Sequence, residues 1–264
     1  MLVIASLIKD RAWILPEFIR RIEAIHYPVR NTAILMLDDA SKDNSRDLLH
    51  EWGTRRRGDY GLFRILHSDA PFDGNTSSRD FRERREGYRH LATLRNLLFE
   101  QARAAGADLL LSVDSDILVT PRIIDVLSRW KLPMVAAMVL NDNSKQEPFL
   151  HVNKDGFDYD HLRGRYVNFA PCDENLQFQH RGDYPLNGLL QVGMTGACFL
   201  ADSRVIQSGA VYGYHPFGED AWFCLELRER GISCYADTGI HCVHVMETDQ
   251  LPRAVAKVDE LCKS

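Results

Sequence analysis

Residues 109–116 read Leu-Leu-Leu-Ser-Val-Asp-Ser-Asp, an apolar run of strand length that ends in two carboxylates. Two earlier stretches have the same character: residues 2–8 read Leu-Val-Ile-Ala-Ser-Leu-Ile, and residues 33–39 read Ala-Ile-Leu-Met-Leu-Asp-Asp. Continuous apolar runs of this length are typical of strands that are buried on both faces of a parallel sheet. The sequence therefore predicts a buried parallel sheet with polar residues at several strand ends.

Helical patterns separate these strands. Apolar residues recur at helical spacing between residues 13 and 25, and again from residue 89 to residue 105, where Gly106 follows as a stop signal. Strands joined by crossovers of this length form βαβ units, so the predicted fold class is α/β, a Rossmann-like, mostly parallel central sheet flanked by helices. Further predicted elements are strands at 62–66, 109–119, 134–140 and 195–202, short strands around residues 233–245, a helix at 218–230 and a polar loop at 68–88.

The polar residues at the strand ends are the first candidates for a site. In an open α/β sheet, ligands bind outside the carboxyl ends of the strands, which selects Asp38, Asp39, Asp114 and Asp116. Alternation along an extended chain puts Asp114 and Asp116 on the same side, where they could share a divalent cation or divide a cation and a ribose between them. A second Asp-X-Asp at residues 158–160 follows a glycine turn and is interpreted as a solvated loop.

Composition limits the class of protein. The chain has 264 residues, 45% hydrophobic, with a formal net charge of −5, which excludes disorder and argues against a nucleic-acid binder that displaces counterions. No stretch approaches the ~18 apolar residues of a membrane span, and the first residues lack a secretory pattern. The six cysteines contain no Cys-X-X-Cys pair, so we expect reduced, mostly buried thiols and a cytoplasmic location.

Several phosphate-binding and nucleophile motifs are absent from the sequence. It contains no Gly-X-Gly-X-X-Gly after a strand, no Gly-X4-Gly-Lys-Ser/Thr and no Gly-X-Ser-X-Gly. A site that handles phosphates without a glycine-rich loop usually needs a cation to offset their charge. The Asp-Ser-Asp pair would hold that cation.

Four stretches, taken in order, resemble the signature blocks of nucleotide-sugar glycosyltransferases with the GT-A fold, most closely glycosyltransferase family 2. They are VIASLIKDR, ILMLDDASKDNS, LRNLLFEQARAAGADLLLSVDSD and GEDAWFCLELRERG, and the similarity spans about residues 1–120 and 193–245. The resemblance implies one GT-A domain over residues 1–264. Residues 1–120 would bind the nucleotide donor, residues 121–245 would form the acceptor side, and residues 246–264 would be a helical tail.

The resemblance also implies a donor site. Asp39 matches the residue that hydrogen-bonds the base, with Asp38 beside it, and the first strand contributes Ala5 and Ser6 at the nucleotide edge. Arg95 matches a basic residue that approaches the nucleotide, although the residue before it is larger than in the family pattern.

For the metal site, the resemblance implies Asp116 as a ligand of Mn²⁺ or Mg²⁺ and Asp114 as the ribose contact or a second metal contact. His244 lies where many metal-dependent members have a third ligand. His241 is a nearby alternative, and a hydrogen-bonded core histidine is the structural alternative for His244.

The general base implied by the resemblance is Asp220, and Glu219 competes with it for this role. Both residues would otherwise be read as favourable charges at a helix N-terminus. An acceptor hydroxyl needs a base on the side of the anomeric carbon opposite the leaving group if configuration inverts.

The predicted function is metal-dependent sugar transfer from a nucleotide-sugar donor, UDP-sugar before GDP-sugar, to a sugar or another hydroxyl-bearing acceptor. Inversion is the default outcome implied by the resemblance, and retention stays open. One alternative is a sugar-1-phosphate nucleotidyltransferase, which would carry a glycine-rich loop after the first strand. The other is a catalytically silent nucleotide-sugar-binding module. No nucleic-acid partner is expected, and the sequence gives no sign of the oligomeric state.

Overall fold

A computed structural model of the chain describes residues 1–68, 72, 80–141, 169–170 and 188–263. The strands are β1 (Leu2–Ile8), β2 (Thr32–Asp38), β3 (Leu62–His67), β4 (Leu109–Val113), β5 (Ile117–Val119), β6 (Met134–Asn141), β7 (Phe169–Ala170), β8 (Leu189–Val192), β9 (Met194–Thr195), β10 (Cys198–Asp202) and β11 (Cys234–His244). The helices are α1 (Leu15–Glu23), α2 (Ser45–Arg56), α3 (Phe81–Ala104), α4 (Ile123–Ser128), α5 (Ser203–Ile206), α6 (Glu219–Glu229) and α7 (Leu251–Leu261). The α/β class expected from the sequence is confirmed.

The main sheet has the strand order β3-β2-β1-β4-β10-β6-β11-β5, and β8 pairs with β11 outside this path. The first four strands in this order are parallel, as helical crossovers require. Strand β10 then lies antiparallel between β4 and β6, and β6 and β11 are parallel to each other. The carboxyl ends of β1, β2 and β4 therefore meet at one edge of the sheet.

Helices cover both faces of this sheet. On one face, Leu98 of α3 and Phe223 of α6 pack with the side chains of Val3 and Leu35 from the sheet. On the other face, the α1, α2 and α4 helices bury apolar side chains that include Phe18 and Trp52. Helix α7 lies in the predicted C-terminal tail and packs against β11 and β5.

Four predicted elements differ from the observed ones. The run at residues 195–202 is divided between β9 and β10, and the short strands around residues 233–245 are the single strand β11. The run at residues 109–119 is two strands, because the chain turns at Asp-Ser-Asp and β5 pairs antiparallel with β11. Residues 81–88 of the predicted loop form the first turns of α3, with the Asp80 carboxylate accepting hydrogen bonds from the N–H groups of Arg82 and Glu83. Arginine and glutamate are good helix formers, but they carry no apolar periodicity by which this extension could be detected.

The remaining sequence-level expectations concern membranes and thiols. Within the described residues, no helix combines the length and hydropathy that crossing a membrane requires. Cys198, Cys224, Cys234 and Cys242 are buried free thiols, as expected, whereas Cys262 is exposed. The second Asp-X-Asp, residues 158–160, lies outside the described residues.

Candidate active site

The loop after β1 is hydrogen-bonded to side chains of the ILMLDDASKDNS block in a second loop, which follows β2. Three consecutive N–H groups after β1 donate to side chains after β2: Asp10 to Ser41 Oγ (3.1 Å), Arg11 to Ser45 Oγ (2.8 Å) and Ala12 to Asp43 Oδ2 (2.8 Å). Asp10 has a φ of +51°, in the left-handed region that a non-glycine residue rarely adopts. The polar residues of the second loop thus fix a turn that orients Lys9 and Arg11.

A cleft of about 360 Å³ opens between these strand ends and α3. Its lining includes Asp39, His90, Arg11, Asp114 and Asp116. This volume lies in the range of small-molecule sites, about 300–1,000 Å³. Of the four strand-end carboxylates selected from the sequence, Asp39, Asp114 and Asp116 line this cleft and Asp38 does not.

Asp39 lies in this cleft beside a lysine and a histidine, and the histidine stacks on an aromatic ring. The Asp39 carboxylate lies 2.8 Å from His90 Nε2 and 3.1 Å from Lys9 Nζ. The His90 ring stacks on Phe72, with ring centroids 5.1 Å apart. Lys9 and His90 were missed by the sequence reasoning. The position of Lys9 directly after β1 was an available signal, whereas His90, inside the helix predicted over residues 89–105, carried no sign that it would reach Asp39.

Three predicted donor residues lie away from the cleft. Asp38 is fully buried and accepts a hydrogen bond from Arg46 Nε (2.9 Å). Burial alone would raise the pKa of Asp38, but hydrogen bonds, among them that from Arg46, hold it below its usual value. Ala5 and Ser6 are also buried and line a small inner cavity of about 10 Å³ beside Arg95, because β1 continues to Ile8 and only its last residues reach the cleft.

Asp116 lies between a guanidinium and an imidazole. Its Oδ2 accepts a hydrogen bond from Arg11 Nη2 (3.0 Å), and its Oδ1 lies 3.6 Å from His244 Nε2. Burial alone would raise the pKa of Asp116, but the charges and hydrogen bonds of His244 and Arg11 hold it below its usual value. Asp116 is therefore ionised at neutral pH, as a metal ligand must be.

The Asp116–His244 pair suits a divalent cation in part. A single cation with ligand bonds of about 2.1 Å can span two donor atoms that are 3.6 Å apart. In the part of the chain that the structure describes, no third His, Cys, Asp or Glu completes such a cluster. Mg²⁺ is commonly held by one or two carboxylates, with substrate phosphates and water as its other ligands. The residues present therefore fit a cation whose coordination a diphosphate completes.

His241, the other histidine proposed for the metal, lies in a separate network. Its Nε2 is 3.2 Å from the fully buried carboxylate of Asp237, which also accepts hydrogen bonds from Arg129, Trp130 and the N–H of Gly239. The pairing of β11 with β6 shifts register between Asp237 and Cys242. The side chains of His241 and His244 therefore do not simply alternate between the two faces of the sheet. Geometry favours His244 as the partner of Asp116.

Arg95 stands at the centre of three carboxylates. Its Nε lies 2.9 Å from Glu219 Oε1 and 3.7 Å from Asp220 Oδ1, and its Nη2 lies 3.1 Å from Asp114 Oδ1. Burial would lower the pKa of Arg95, but the three carboxylates raise it. One guanidinium cannot neutralise three carboxylates, so this cluster favours protonation of one of them or the approach of another cation.

Of the three carboxylates, that of Asp220 lies farthest from the Arg95 guanidinium. Burial, opposed by Arg95 and reinforced by Glu219, raises the pKa of Asp220 to about 8, and burial also raises the pKa of Asp114. Glu219 is 6% exposed and hydrogen-bonded, but Asp220 is 26% exposed, and its Oδ1 has no hydrogen-bond partner among the described residues. Asp220 is therefore the more exposed and the less completely hydrogen-bonded of these two carboxylates.

A glycine makes room for this carboxylate. A Cβ at Gly196, which precedes β10, would lie 1.8 Å from Asp220 Oδ2 and 2.1 Å from its Cγ. The N–H of Asp114, at the end of β4, donates to the carbonyl of Ala197 (2.8 Å). Gly196, against which the Asp220 carboxylate lies, is thus close to Asp114, the first residue of Asp-Ser-Asp.

Comparison with known proteins places this geometry in a family. The family model described as glycosyltransferase family 25, N-terminal domain, matches residues 1–181. The chain is 30% identical over 227 residues to procollagen galactosyltransferase 1 of Danio rerio, covering 83% of this chain and 34% of that protein. It spans 23–36% of the length of other curated relatives that it matches.

Solved structures with the same fold have low sequence identity to this chain. GalNAc-T7 with UDP, GalNAc and Mn²⁺ has a TM-score of 0.61 at 11% identity, covering 94% of this chain and 44% of that one. Residues 1–349 of TarS from S. aureus, in complex with UDP-GlcNAc, have a TM-score of 0.55 at 11% identity, covering 93% and 58%.

The expected GT-A fold and the expected membership in a glycosyltransferase family are confirmed by these comparisons. The four blocks quoted from the sequence suggested family 2, but the matching family model is that of family 25. The blocks indicated the GT-A fold, and they did not distinguish one family of that fold from another. The chain belongs to glycosyltransferase family 25.

Proposed function

We propose that this glycosyltransferase moves a sugar from a UDP-sugar to an acceptor hydroxyl, with a divalent cation and with inversion at the anomeric carbon. The observation that carries the proposal is a single cleft that both Asp39 and Asp116 line, together with Arg95 of the Arg95–Asp220 cluster. TarS with UDP-GlcNAc and GalNAc-T7 with UDP support a uridine donor. Residues 1–120 form the donor half, and residues 121–245 supply the base.

In this proposal the donor lies along the cleft. The base contacts Asp39, which Lys9 and His90 hold in place, and the ribose lies toward Asp114. The diphosphate then reaches Asp116. Asp116 and His244 would hold Mn²⁺ or Mg²⁺, which supplies positive charge against the charge that develops on the leaving diphosphate.

The proton transfer is assigned to Asp220. Its carboxylate takes the proton of the acceptor hydroxyl while the acceptor oxygen bonds to the anomeric carbon and the bond from that carbon to the diphosphate oxygen breaks. The electron pair of the broken bond leaves with the diphosphate, and attack from the opposite face inverts the configuration. A base with a pKa of about 8 is strong enough to act near neutral pH and is partly ionised there.

Glu219 and Arg95 position the base in this scheme. Glu219 holds the guanidinium by a 2.9 Å hydrogen bond, and the guanidinium opposes the rise in the pKa of Asp220. Gly196 supplies the space in which the Asp220 carboxylate lies. The base therefore depends on groups from α3, α6 and the turn before β10.

Donor binding is the first experiment. UDP-galactose, UDP-GlcNAc and GDP-mannose are titrated calorimetrically into the protein with and without Mn²⁺; the Danio rerio relative named galactosyltransferase puts UDP-galactose first. We expect Mn²⁺-dependent binding of a UDP-sugar. Equal binding of every donor without Mn²⁺, or binding of none, contradicts the donor and metal assignments.

Turnover is measured as release of UDP from the bound donor in the presence of candidate hydroxyl acceptors. Asp220→Asn should keep donor binding within about threefold and lower release by about 100-fold or more. Glu229→Gln, an exposed carboxylate at the other end of α6, is the matched control and should behave as wild type. Unchanged release by Asp220→Asn would remove Asp220 from the mechanism.

A further inference from the structure

We propose that Arg11 is a catalytic residue of the donor site whose guanidinium is exchanged between two anions. It neutralises Asp116 in the free protein, and it moves to the donor diphosphate when a divalent cation takes that carboxylate. The inference rests on the proposed function, because it assumes a nucleoside diphosphate in the cleft. Sequence reasoning gave Arg11 no role.

The contacts of Arg11 in the free protein leave it incompletely satisfied. Its Nη2 donates to Asp116 Oδ2 (3.0 Å), and its Nη1 donates to the carbonyl of Lys9 (3.1 Å). Its Nε is buried and has no hydrogen-bond partner among the described residues. A buried donor without a partner is costly, so a ligand with several acceptor oxygens would satisfy this guanidinium better.

The backbone of Arg11 is fixed, whereas its side chain can move. Its N–H is held by Ser45 Oγ, and the preceding Asp10 is in a left-handed conformation that is held from both sides by the second loop. The Arg11 side chain is 33% exposed and lines the cleft beside Asp114 and Asp116. Exchange of partners therefore requires rotation of one side chain and no change in the loop.

Charge gives this rotation a direction. The second oxygen of Asp116 faces His244, so a cation held there would share one carboxylate with the Arg11 guanidinium and repel it. A diphosphate presents several anionic oxygens, which guanidinium groups bind in a planar, two-bond geometry. Cation binding and diphosphate binding thus favour the same position of Arg11, and each should strengthen the other.

The test separates the two partners of Arg11. Mn²⁺ alone is titrated into wild type, Arg11→Ala and Arg11→Lys, with free Mn²⁺ followed by electron paramagnetic resonance. UDP is then titrated calorimetrically at saturating Mn²⁺. We expect Arg11→Ala to bind Mn²⁺ about two- to fivefold more tightly, because a competing ion pair is lost, and to bind UDP about tenfold more weakly or worse.

Arg11→Lys keeps the charge but not the planar pair of donors. It should bind Mn²⁺ as wild type does and bind UDP with an affinity between those of wild type and Arg11→Ala. Arg204→Ala is the matched control, because Arg204 forms an exposed ion pair with Asp202 away from the cleft lining. Thermal unfolding by circular dichroism establishes that each variant is folded.

The results distinguish this inference from the proposed function. Wild type that binds UDP with Mn²⁺, together with an Arg11→Ala that binds both ligands unchanged, overturns the role of Arg11 alone. Weaker Mn²⁺ binding by folded Arg11→Ala overturns the exchange, because the guanidinium would then assist the cation. Wild type that binds no nucleotide overturns the proposed function and this inference with it.

Discussion

Gly196→Ala should disable the proposed base without touching any ligand directly. The added Cβ would lie 1.8 Å from Asp220 Oδ2, and real contacts of a Cβ essentially never fall below 3.0 Å. The Asp220 carboxylate must therefore move by at least 1.2 Å, the difference between these two distances. A misplacement of about 1 Å in a catalytic group costs roughly 100-fold in rate.

We expect kcat for sugar transfer to fall by about 100-fold in Gly196→Ala, with the Kd for UDP and Mn²⁺ unchanged within about threefold. Initial rates of UDP release measure the first quantity, and calorimetry measures the second. Gly58→Ala is the control, because a Cβ there meets nothing within 4 Å. A folded Gly196→Ala with the kcat of wild type would refute the assignment of Asp220 as base and the positioning role of this glycine.

Four further measurements test the charges described above. The kcat/KM of wild type should rise about tenfold per pH unit and level off above about pH 8, because the pKa of Asp220 is raised to about 8 by burial; a flat profile from about pH 6 to 9 would argue against this base. Because that pKa is raised, the stability gained from Asp220 is complete below its unfolded value of 3.8 and is lost as pH rises through about 8. Asp220→Asn should therefore be more stable than wild type above about pH 8, by on the order of 1–3 kcal/mol in urea unfolding, with a smaller difference near pH 6. Asp237→Asn should lose about 1–3 kcal/mol at neutral pH. Hydrogen bonds lower the pKa of Asp237 against the effect of burial, so this loss should shrink as pH falls through its folded pKa, and a constant loss would contradict the ionised form. Ser45→Ala removes the acceptor of the Arg11 N–H and should weaken UDP binding about three- to tenfold, whereas Ser128→Ala, at an exposed position of α4, should not.

The strand ends could be predicted from sequence because burial on both faces demands an apolar run and because a carboxylate ends that run. This reasoning located Asp39, Asp114 and Asp116 correctly at the cleft. It could not separate Asp38 from Asp39. Asp38 is the last residue of β2 and has a buried side chain, and the next residue faces the cleft, so one position along the chain decides between the two environments.

Other parts of the site depend on contacts that no local pattern records. The two serines of the ILMLDDASKDNS block, Ser41 and Ser45, accept hydrogen bonds from the backbone of another loop, a role that cannot be recognised before the two loops are side by side. The same holds for Gly196, since its small size matters only because the Asp220 carboxylate approaches from α6. His90 lies inside the helix predicted from residue 89, but its contact with Asp39 joins two elements that are 51 residues apart, and helical periodicity does not record such a contact.

The antiparallel strand β10 has a mechanical consequence for such an enzyme. Because β10 runs opposite to β4, its beginning lies at the carboxyl end of β4, and the hydrogen bond from Asp114 to Ala197 joins the two points. The distance between Asp114 and the turn at Gly196, against which the Asp220 carboxylate lies, is thus set by the pairing of β4 with β10. Under the proposed function, mutations or insertions in the loops that connect the strands would change which acceptor enters the site. The distance from Asp114 to the turn at Gly196 would stay constant.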